Sequence, residues 1–164
     1  MNNIILTGFM GTGKTTVGKL VAKMLQWSFI DLDHAIEQQR GMTIHQIFER
    51  YGEAAFRSAE NRFCQYLLHC SQTVIATGGG TILDPENRCN LEKTGLLIAL
   101  FADPSEIARR LPTASGRPLF QGDWQKLYAE RLPVYRDLAH QIETTGKTPA
   151  RVAQEVITLW QHFR

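Results

Sequence analysis

The sequence predicts an α/β fold of three layers, in which about five parallel strands form a sheet with helices on both faces. Two observations indicate this class. Segments with strand patterns alternate with segments of helical periodicity along the chain, as in parallel sheets whose strands are joined by crossover helices. The strand candidates 4–6, 73–76 and 96–101 are continuous apolar runs, which is typical of strands that are buried on both faces.

Length and composition predict a single globular domain over residues 1–164. A chain of this size buries about 70% of its unfolded surface, and 43% hydrophobic with 21% charged residues is an ordinary balance for a soluble protein. The formal charge of +2 argues neither for nor against nucleic acid. We expect a monomer that binds small molecules, with no nucleic-acid or membrane partner.

The cysteines and the N-terminus predict a cytoplasmic protein. Cys64, Cys70 and Cys89 form an odd set without C-x-x-C spacing, which favours reduced thiols over a disulfide framework or a zinc site. The N-terminus lacks the basic and long apolar regions of an export signal. No segment approaches the roughly 18 apolar residues of a membrane span.

Helix and strand signals follow one another closely at the start of the chain. After the strand at 4–6, apolar residues with helical spacing predict a buried helix face at Val17, Leu20, Val21, Met24 and Leu25. A second strand is predicted over 28–32. Asp33 is then expected to cap a helix that Gly41 ends.

Two helices and the third strand follow. Thr43 and Gln46 match a capping box, which predicts a helix that ends near Tyr51. A longer helix is predicted over 53–68, before the strand at 73–76.

Two Asp-Pro pairs mark helix starts in the second half, because Asp caps well and Pro is favoured at the first helical position. These pairs are 84–85 and 103–104, on either side of the strand at 96–101. The polar segment 112–123 contains Gly and Pro and is predicted to be a mobile lid.

The C-terminal part is predicted to contain a helix over 124–138, a weak strand over 141–144 and a last helix from 149 onward. The buried face of this last helix is expected at Val152, Val156, Leu159, Trp160 and Phe163.

The strongest functional signal is G-x-x-x-x-G-K-T at 8–15, directly after the first predicted strand. Glycines let the backbone approach a ligand, and the inward N–H groups and the start of the next helix attract anions. Lys14 would bring charge to the outer phosphates, and the Thr15 hydroxyl would ligate Mg²⁺. The predicted nucleotide-binding residues of this loop are Gly11, Thr12, Gly13, Lys14, Thr15 and Thr16.

Two further polar or glycine-rich segments follow predicted strands, where ligands bind in parallel sheets. Asp31 and Asp33 suit phosphoryl transfer, which needs a metal organiser and a carboxylate near the attacking oxygen; alternatively, Asp33 only caps a helix and Asp31 is solvated. Gly78, Gly79 and Gly80 would let a small substrate lie against the backbone, or they only form a tight turn.

Three arginines are candidates for anion binding. Arg57 can pair with Glu60 at i, i+3, either as a surface salt bridge or as a cleft residue that grips an anion in a fixed orientation. Arg117, in the predicted lid, either delivers charge to a transferring phosphoryl group or is solvated. Arg131 lies near Pro133, which is expected to kink its helix and would let the arginine point inward.

Together these motifs resemble the shikimate kinase family, and they occur in its order and at about its spacing. The matching segments are G-F-M-G-T-G-K-T at 8–15, D-L-D at 31–33, F-R at 56–57, G-G-G at 78–80, R-P-L at 117–119 and R-x-x-x-Y at 131–135.

The resemblance implies a P-loop fold of the nucleoside-monophosphate-kinase-like group. It implies ATP- and Mg²⁺-dependent phosphorylation of the 3-hydroxyl of shikimate, a step toward chorismate and the aromatic amino acids. Asp33 would then contact the reacting hydroxyl as base or orienter, while Lys14 and Arg117 stabilise phosphate charge. Thr15 would bind Mg²⁺, with Asp31 acting through water.

The resemblance also assigns the acceptor and adenine contacts. Arg57 and Arg131 would hold the shikimate carboxylate, with the ring against Gly79 in the glycine segment. Arg110 matches a position that borders the adenine. Two positions depart from the family pattern: Glu143 stands where Asp is usual, and Lys147 stands at an adenine-contacting position that is usually Arg or Gln.

Without the resemblance, the residues indicate only a small-molecule kinase with an anionic acceptor. One alternative is a kinase of the same fold that acts on gluconate or a nucleoside monophosphate, against which D-L-D, F-R and G-G-G together argue. Another is a nucleotide-binding regulatory module without turnover, which would be favoured if Lys14, Asp33 or Arg117 were missing.

Overall fold

A computed structural model of the chain describes residues 2–111 and 123–163. The strands and helices within these ranges are β1 (Ile4–Thr7), α1 (Lys14–Leu25), β2 (Ser28–Asp31), α2 (Leu32–Arg40), α3 (Ile44–Leu67), β3 (Thr73–Ala76), a 3₁₀ turn (Thr81–Leu83), α4 (Pro85–Thr94), β4 (Leu96–Phe101), α5 (Pro104–Arg110), α6 (Trp124–Arg136), β5 (His140–Glu143) and α7 (Pro149–Phe163).

The five strands form one parallel sheet in the order β2-β3-β1-β4-β5. The register pairs Leu6 of β1 with Ala76 of β3, and Ala76 with Asp31 of β2. The ends of these three strands are therefore level, and the segments that follow them meet at one edge of the sheet.

Two hydrophobic clusters cover the two faces of the sheet, because alternate residues of a strand point to opposite sides. Ile4 and Leu6 of β1 pack with α1 and α7. Ile5 packs in a second cluster, to which α2, α3, α4, α5 and α6 contribute. The predicted three-layer α/β fold with five parallel strands is thus confirmed.

The predicted cap of α2 was wrong by two residues. Strand β2 ends at Asp31, whose carboxylate accepts a hydrogen bond from the His34 N–H at 3.3 Å. Asp33 lies instead in the first turn of the helix.

Asp103 precedes α5 as expected but makes no side-chain cap bond within the described residues. Its N–H donates to Thr145 Oγ1 at 2.8 Å.

Helix α3 combines two helices that the sequence predicts separately. The capping box is present, since Thr43 accepts from the Gln46 N–H and Gln46 accepts from the Thr43 N–H. Gly52, with φ 78° and ψ 171°, interrupts the helical backbone where the two parts join. Helix α3 is therefore kinked at Gly52, five residues before Arg57.

The predicted buried faces of α1 and α7 were partly wrong, because Met24 and Phe163 are 50% and 42% exposed. In α1 the buried face includes Gly18 instead, at which an added Cβ would lie 2.6 Å from the Phe29 ring. The small residue lets this ring pack against the helix.

The predicted lid at 112–123 lies outside the described residues except for Asp123, which caps α6 by accepting from Gln125 and Lys126 N–H groups. Helix α6 continues through Pro133.

Cys64, Cys70 and Cys89 are all free thiols. Among the described helices, none combines the length and apolar character that a membrane crossing needs.

Candidate active site

The loop between β1 and α1 has the backbone geometry that its sequence predicts. Gly8, Gly11 and Gly13 have φ of 135°, 79° and 97°, values that favour glycine. A Cβ on Gly8 would also lie 2.3 Å from a backbone oxygen of β4, at Leu100. Lys14 Nζ donates to the carbonyls at the start of the loop, to Gly8 O at 2.8 Å and Phe9 O at 2.9 Å.

This loop forms one wall of an open cavity at the carboxyl edge of the sheet, which we name the loop cavity. It is lined by Met10, Gly11, Gly13, Lys14, Thr15, Thr16, Asp31, Asp33, Thr77, Gly79 and Arg110. Backbone N–H groups, a helix start and a lysine give it the character of an anion site.

Thr15 and Asp31 form the oxygen-rich side of the loop cavity. Thr15 Oγ1 donates to Asp31 Oδ2 at 2.7 Å. Within residues 2–111 and 123–163, no group of three or more His, Cys, Asp or Glu side chains forms a metal cage. A hydroxyl and one carboxylate nevertheless suit Mg²⁺, which usually takes one or two protein oxygens together with waters and substrate phosphates.

A second cavity adjoins the first, and we name it the arginine cavity. It is lined by Met10, Asp33, Ile44, Phe48, Phe56, Arg57, Glu60, Gly78, Gly79, Gly80 and Arg131. Met10, Asp33 and Gly79 line both cavities. Its lining combines apolar side chains, which come mainly from α3, with polar side chains that include the two predicted arginines.

Arg57 is held by two carboxylates of its own helix. Its Nη1 lies 2.5 Å from Glu60 Oε2, and its Nε and Nη2 lie 3.2 and 3.1 Å from Glu53 Oε1. Burial alone would lower the pKa of Arg57, but the charges and hydrogen bonds of Glu60 and Glu53 outweigh it and raise the pKa above its usual value. Arg57 is therefore a fixed, permanent cation on the cavity wall.

Glu60 is the buried member of this group, with 1% exposure. Its second oxygen, Oε1, accepts from the Thr81 hydroxyl at 2.7 Å. Thr81 is fully buried at the start of the 3₁₀ turn. Helix α3 and the segment after β3 are thus joined through one carboxylate.

The three consecutive glycines make room for polar side chains of the site. A Cβ on Gly78 would lie 2.6 Å from Asp33 Oδ1, and one on Gly80 would lie 2.9 Å from Arg57 Nη1. A Cβ on Gly79 would lie 3.5 Å from Arg131 Nη1. None of the three has positive φ, so close approach and not turn geometry accounts for this segment.

Arg131 enters the arginine cavity from α6 and is only 7% exposed. Its Nε is buried and has no hydrogen-bond partner among the described residues. One turn later, the Tyr135 hydroxyl donates to Gly79 O. A buried donor without a partner is costly, which an anionic ligand would relieve.

A third cavity continues from the loop cavity on its outer side, between α1, α5 and α7, and we name it the Arg110 cavity. Arg110 Nη1 and Nη2 donate to Thr144 Oγ1 at 3.0 Å and Thr144 O at 3.1 Å. Lys147 also lines this cavity and pairs with Glu155 at 2.7 Å. Glu143, the other departure from the family pattern, accepts from the Thr145 hydroxyl.

The structure brings together all the described residues that the sequence predicts for the site. Arg117 lies outside the described residues, so it stays a prediction. Asp31 and Asp33 both line the loop cavity, Asp31 from the end of β2 and Asp33 from the first turn of α2.

Sequence reasoning missed three contributors. Glu53 could have been found, because it precedes Arg57 by four residues, a spacing that pairs side chains on a helix. Thr81 could not, because its partner Glu60 is 21 residues away in the chain. Tyr135 belongs to the R-x-x-x-Y segment, but its bond to Gly79 spans 56 residues and could not be predicted.

Comparison with known proteins decides the family. The family model described as "Shikimate kinase" matches residues 10–161. The chain belongs to the shikimate kinase family. Shikimate kinase from Thermodesulfovibrio yellowstonii is 43% identical over 99% of this chain and 97% of that protein. The enzyme from Caldanaerobacter subterraneus is 44% identical over 96% of this chain and 95% of that protein.

Solved structures agree with the sequence comparison. Shikimate kinase from Acinetobacter baumannii, in complex with shikimate, superimposes with a TM-score of 0.93 and is 35% identical, covering 100% of this chain and 95% of that one. A gluconokinase from Sinorhizobium meliloti gives a TM-score of 0.61 at 16% identity, which shows a shared fold alone.

We predict that the two carboxylates on Arg57 contribute unequally to stability. Glu60→Gln should lower the free energy of unfolding by about 2 kcal/mol, because it removes a buried hydrogen-bonded charge. Glu53→Gln should cost less than about 1 kcal/mol, because the Glu53 side chain is 58% exposed. Urea unfolding of both variants measures the difference, and equal losses would contradict the assignment of Glu60 as the principal anchor.

Proposed function

We propose that this enzyme transfers the γ-phosphoryl group of ATP to the 3-hydroxyl of shikimate, giving shikimate 3-phosphate on the route to chorismate and the aromatic amino acids. The observation that carries the proposal is the junction of the arginine cavity and the loop cavity at Asp33 and Gly79. An anionic acceptor would meet guanidinium donors in the arginine cavity, a triphosphate would meet Lys14 and backbone N–H groups in the loop cavity, and their reacting groups would meet at Asp33.

The arginine cavity suits a cyclic carboxylic acid with hydroxyl groups. Arg57 and Arg131 would bind the carboxylate, since a guanidinium matches two carboxylate oxygens. The apolar wall, which includes Phe48 and Phe56, would pack against the ring. Gly79, with Gly78 and Gly80 beside it, would let the ring lie close to the backbone.

The nucleotide would lie along the other two cavities. The loop from Gly11 to Thr16 would bind its phosphates, with Lys14 at the β- and γ-phosphates. Arg110 and Lys147 would border the adenine in the Arg110 cavity. Their bonds to Thr144 and Glu155 fix both cations in place before any nucleotide binds.

Thr15 and Asp31 would hold Mg²⁺, Thr15 directly and Asp31 through water. When bound, the ion neutralises charge on the β- and γ-phosphates. The hard oxygen donors at 2.7 Å from one another support this assignment.

Asp33 would accept the proton of the attacking hydroxyl or orient it. The hydroxyl oxygen bonds to the γ-phosphorus as the bond to the bridging oxygen of ADP breaks, and the proton passes to the carboxylate. Lys14 would stabilise the charge on the transferring group. Arg117 would approach the same group from the proposed lid at 112–123, which would exclude water.

We further propose that residues 1–164 act as a single domain and as a monomer in the cytoplasm. The two hydrophobic clusters lie on the two faces of one five-stranded sheet, which supports the single domain. ATP as co-substrate supports a cytoplasmic location.

An ADP-release assay with shikimate, gluconate and nucleoside monophosphates tests the reaction. We expect ADP release with shikimate alone, because only a ring carboxylate fits both arginines and the apolar wall. Release with gluconate but not with shikimate would contradict the proposed acceptor. ATP binding without turnover of any acceptor would indicate a regulatory module.

We predict that Asp33→Asn lowers kcat at least about 10²-fold, since a positioned proton acceptor contributes at least that much. ATP binding, measured by calorimetry, should change little, because the phosphates bind the loop and not Asp33. Asp137→Asn is the matched control, since this exposed carboxylate pairs with Arg88 on the surface. Unchanged turnover in Asp33→Asn would remove Asp33 from the mechanism.

We predict that Asp31→Asn raises the Mg²⁺ concentration for half-maximal activity about tenfold, the low end for loss of a group that supports a metal. Thr15→Ser keeps a hydroxyl and should retain the wild-type Mg²⁺ dependence. Steady-state rates across a Mg²⁺ titration at saturating ATP and shikimate give the comparison. An Asp31→Asn enzyme with the wild-type midpoint would mean that Asp31 does not support the ion.

A further inference from the structure

Tyr135 is a buried polar residue next to the arginine cavity, and the proposed reaction gives it no direct part. It lies on α6 one turn after Arg131, and it is fully buried. Its ring packs edge-on against Phe101 of β4, with 6.5 Å between ring centroids and an 80° angle between planes. The ring is thus held from behind by the sheet.

The Tyr135 hydroxyl joins two groups that line the arginine cavity. It donates to the Gly79 carbonyl, and it lies beside the Arg131 guanidinium, whose positive charge acts on it. Its single donor is directed to Gly79, so its two lone pairs are available to the guanidinium. The position of a Cβ on Gly79 lies 3.5 Å from both Arg131 Nη1 and the Tyr135 oxygen, so the three groups meet at one point.

The hydroxyl keeps its proton throughout the neutral range. Burial raises the pKa of Tyr135 to about 12, although the charge of Arg131 acts to lower it. Tyr135 therefore remains a donor to Gly79 and does not exchange a proton during turnover at neutral pH.

We propose that Tyr135 is a positioning residue, which fixes the Arg131 guanidinium relative to the Gly79 backbone so that the acceptor's carboxylate and ring bind in one orientation. This inference rests on the proposed acceptor, a ring carboxylate. Without the hydroxyl, Arg131 would lose a partner on its buried side, and the Gly79 carbonyl would lose its donor. Both walls of the acceptor cavity would then become less ordered.

A matched pair of variants tests this role. Tyr135→Phe removes only the hydroxyl. Tyr128→Phe removes a second buried hydroxyl from the same helix, one that donates to Ala102 O at 3.3 Å and lines none of the three cavities. Kinetic constants for shikimate and ATP are measured for both variants, and shikimate binding is measured without nucleotide.

Tyr135→Phe should raise the shikimate KM and Kd about tenfold, the effect of one hydrogen bond near a charged group. Its ATP KM and kcat should remain near the wild-type values, and Tyr128→Phe should leave all constants unchanged. If the Tyr135 hydroxyl had only a structural role, Tyr135→Phe would lower the urea midpoint of unfolding, as Tyr128→Phe would, and would not change the shikimate KM selectively. This result would overturn the proposal.

Two further outcomes separate this proposal from the proposed reaction. If wild-type enzyme phosphorylates shikimate and Tyr135→Phe matches it in KM and Kd, only the role of Tyr135 is contradicted. If wild-type enzyme neither binds nor phosphorylates shikimate, both proposals are wrong. A fall in kcat of Tyr135→Phe with unchanged KM would also overturn positioning, because it would indicate a part in the chemical step.

Discussion

The site depends on the close approach of side chains to a backbone that lacks Cβ atoms. After β3, three successive glycines leave space that Asp33, Arg131 and Arg57 occupy in turn. A side chain at Gly78 or Gly80 would meet a carboxylate or guanidinium within about 3 Å, closer than real Cβ contacts allow. The sheet brings this segment beside the loop after β1, because β1 and β3 are neighbours whose ends are level. Topology and the missing Cβ atoms together create one crevice with two cavities.

The arginine cavity contains carboxylates as well as the two arginine cations. Arg57, Glu53 and Glu60 together carry a formal charge of −1, yet the guanidinium has five N–H donors in a planar fork. The described contacts use its Nε, one N–H of Nη1 and one of Nη2, which leaves one donor on each terminal nitrogen for a ligand. The two carboxylates therefore fix the direction of the fork. Because Arg131 only brings the formal charge of the four groups to zero, an anion would bind through the directed N–H donors of the two arginines and not through a net positive charge.

Features that depend on local sequence could be predicted, and features that depend on distant partners could not. The phosphate-binding loop, the Thr43 capping box and the buried central strands each follow from a few adjacent residues. The strand order does not, because the chain between strands only limits which neighbours are possible. Asp31 and Asp33 illustrate the limit of local prediction, because both are good N-cap residues. Strand β2 stops pairing with β3 at Asp31, opposite Ala76, and this tertiary contact decides that Asp31 caps α2. Thr81 and Tyr135 bond to Glu60 and Gly79, and no local spacing indicates these partners.

The turn at Asp31–Asp33 links the two halves of the site mechanically. One oxygen of Asp31 caps α2 through His34 N–H, while the other accepts from Thr15 in the first turn of α1. Asp31 thus ties the starts of two helices together, and both helices begin at the cavity. Asp33 follows two residues later, so its position relative to the phosphate-binding loop is set by the same carboxylate that would support Mg²⁺. In the proposed reaction, the distance from the acceptor hydroxyl to the γ-phosphate would therefore be set by the hydrogen bonds of Asp31 to Thr15 and His34.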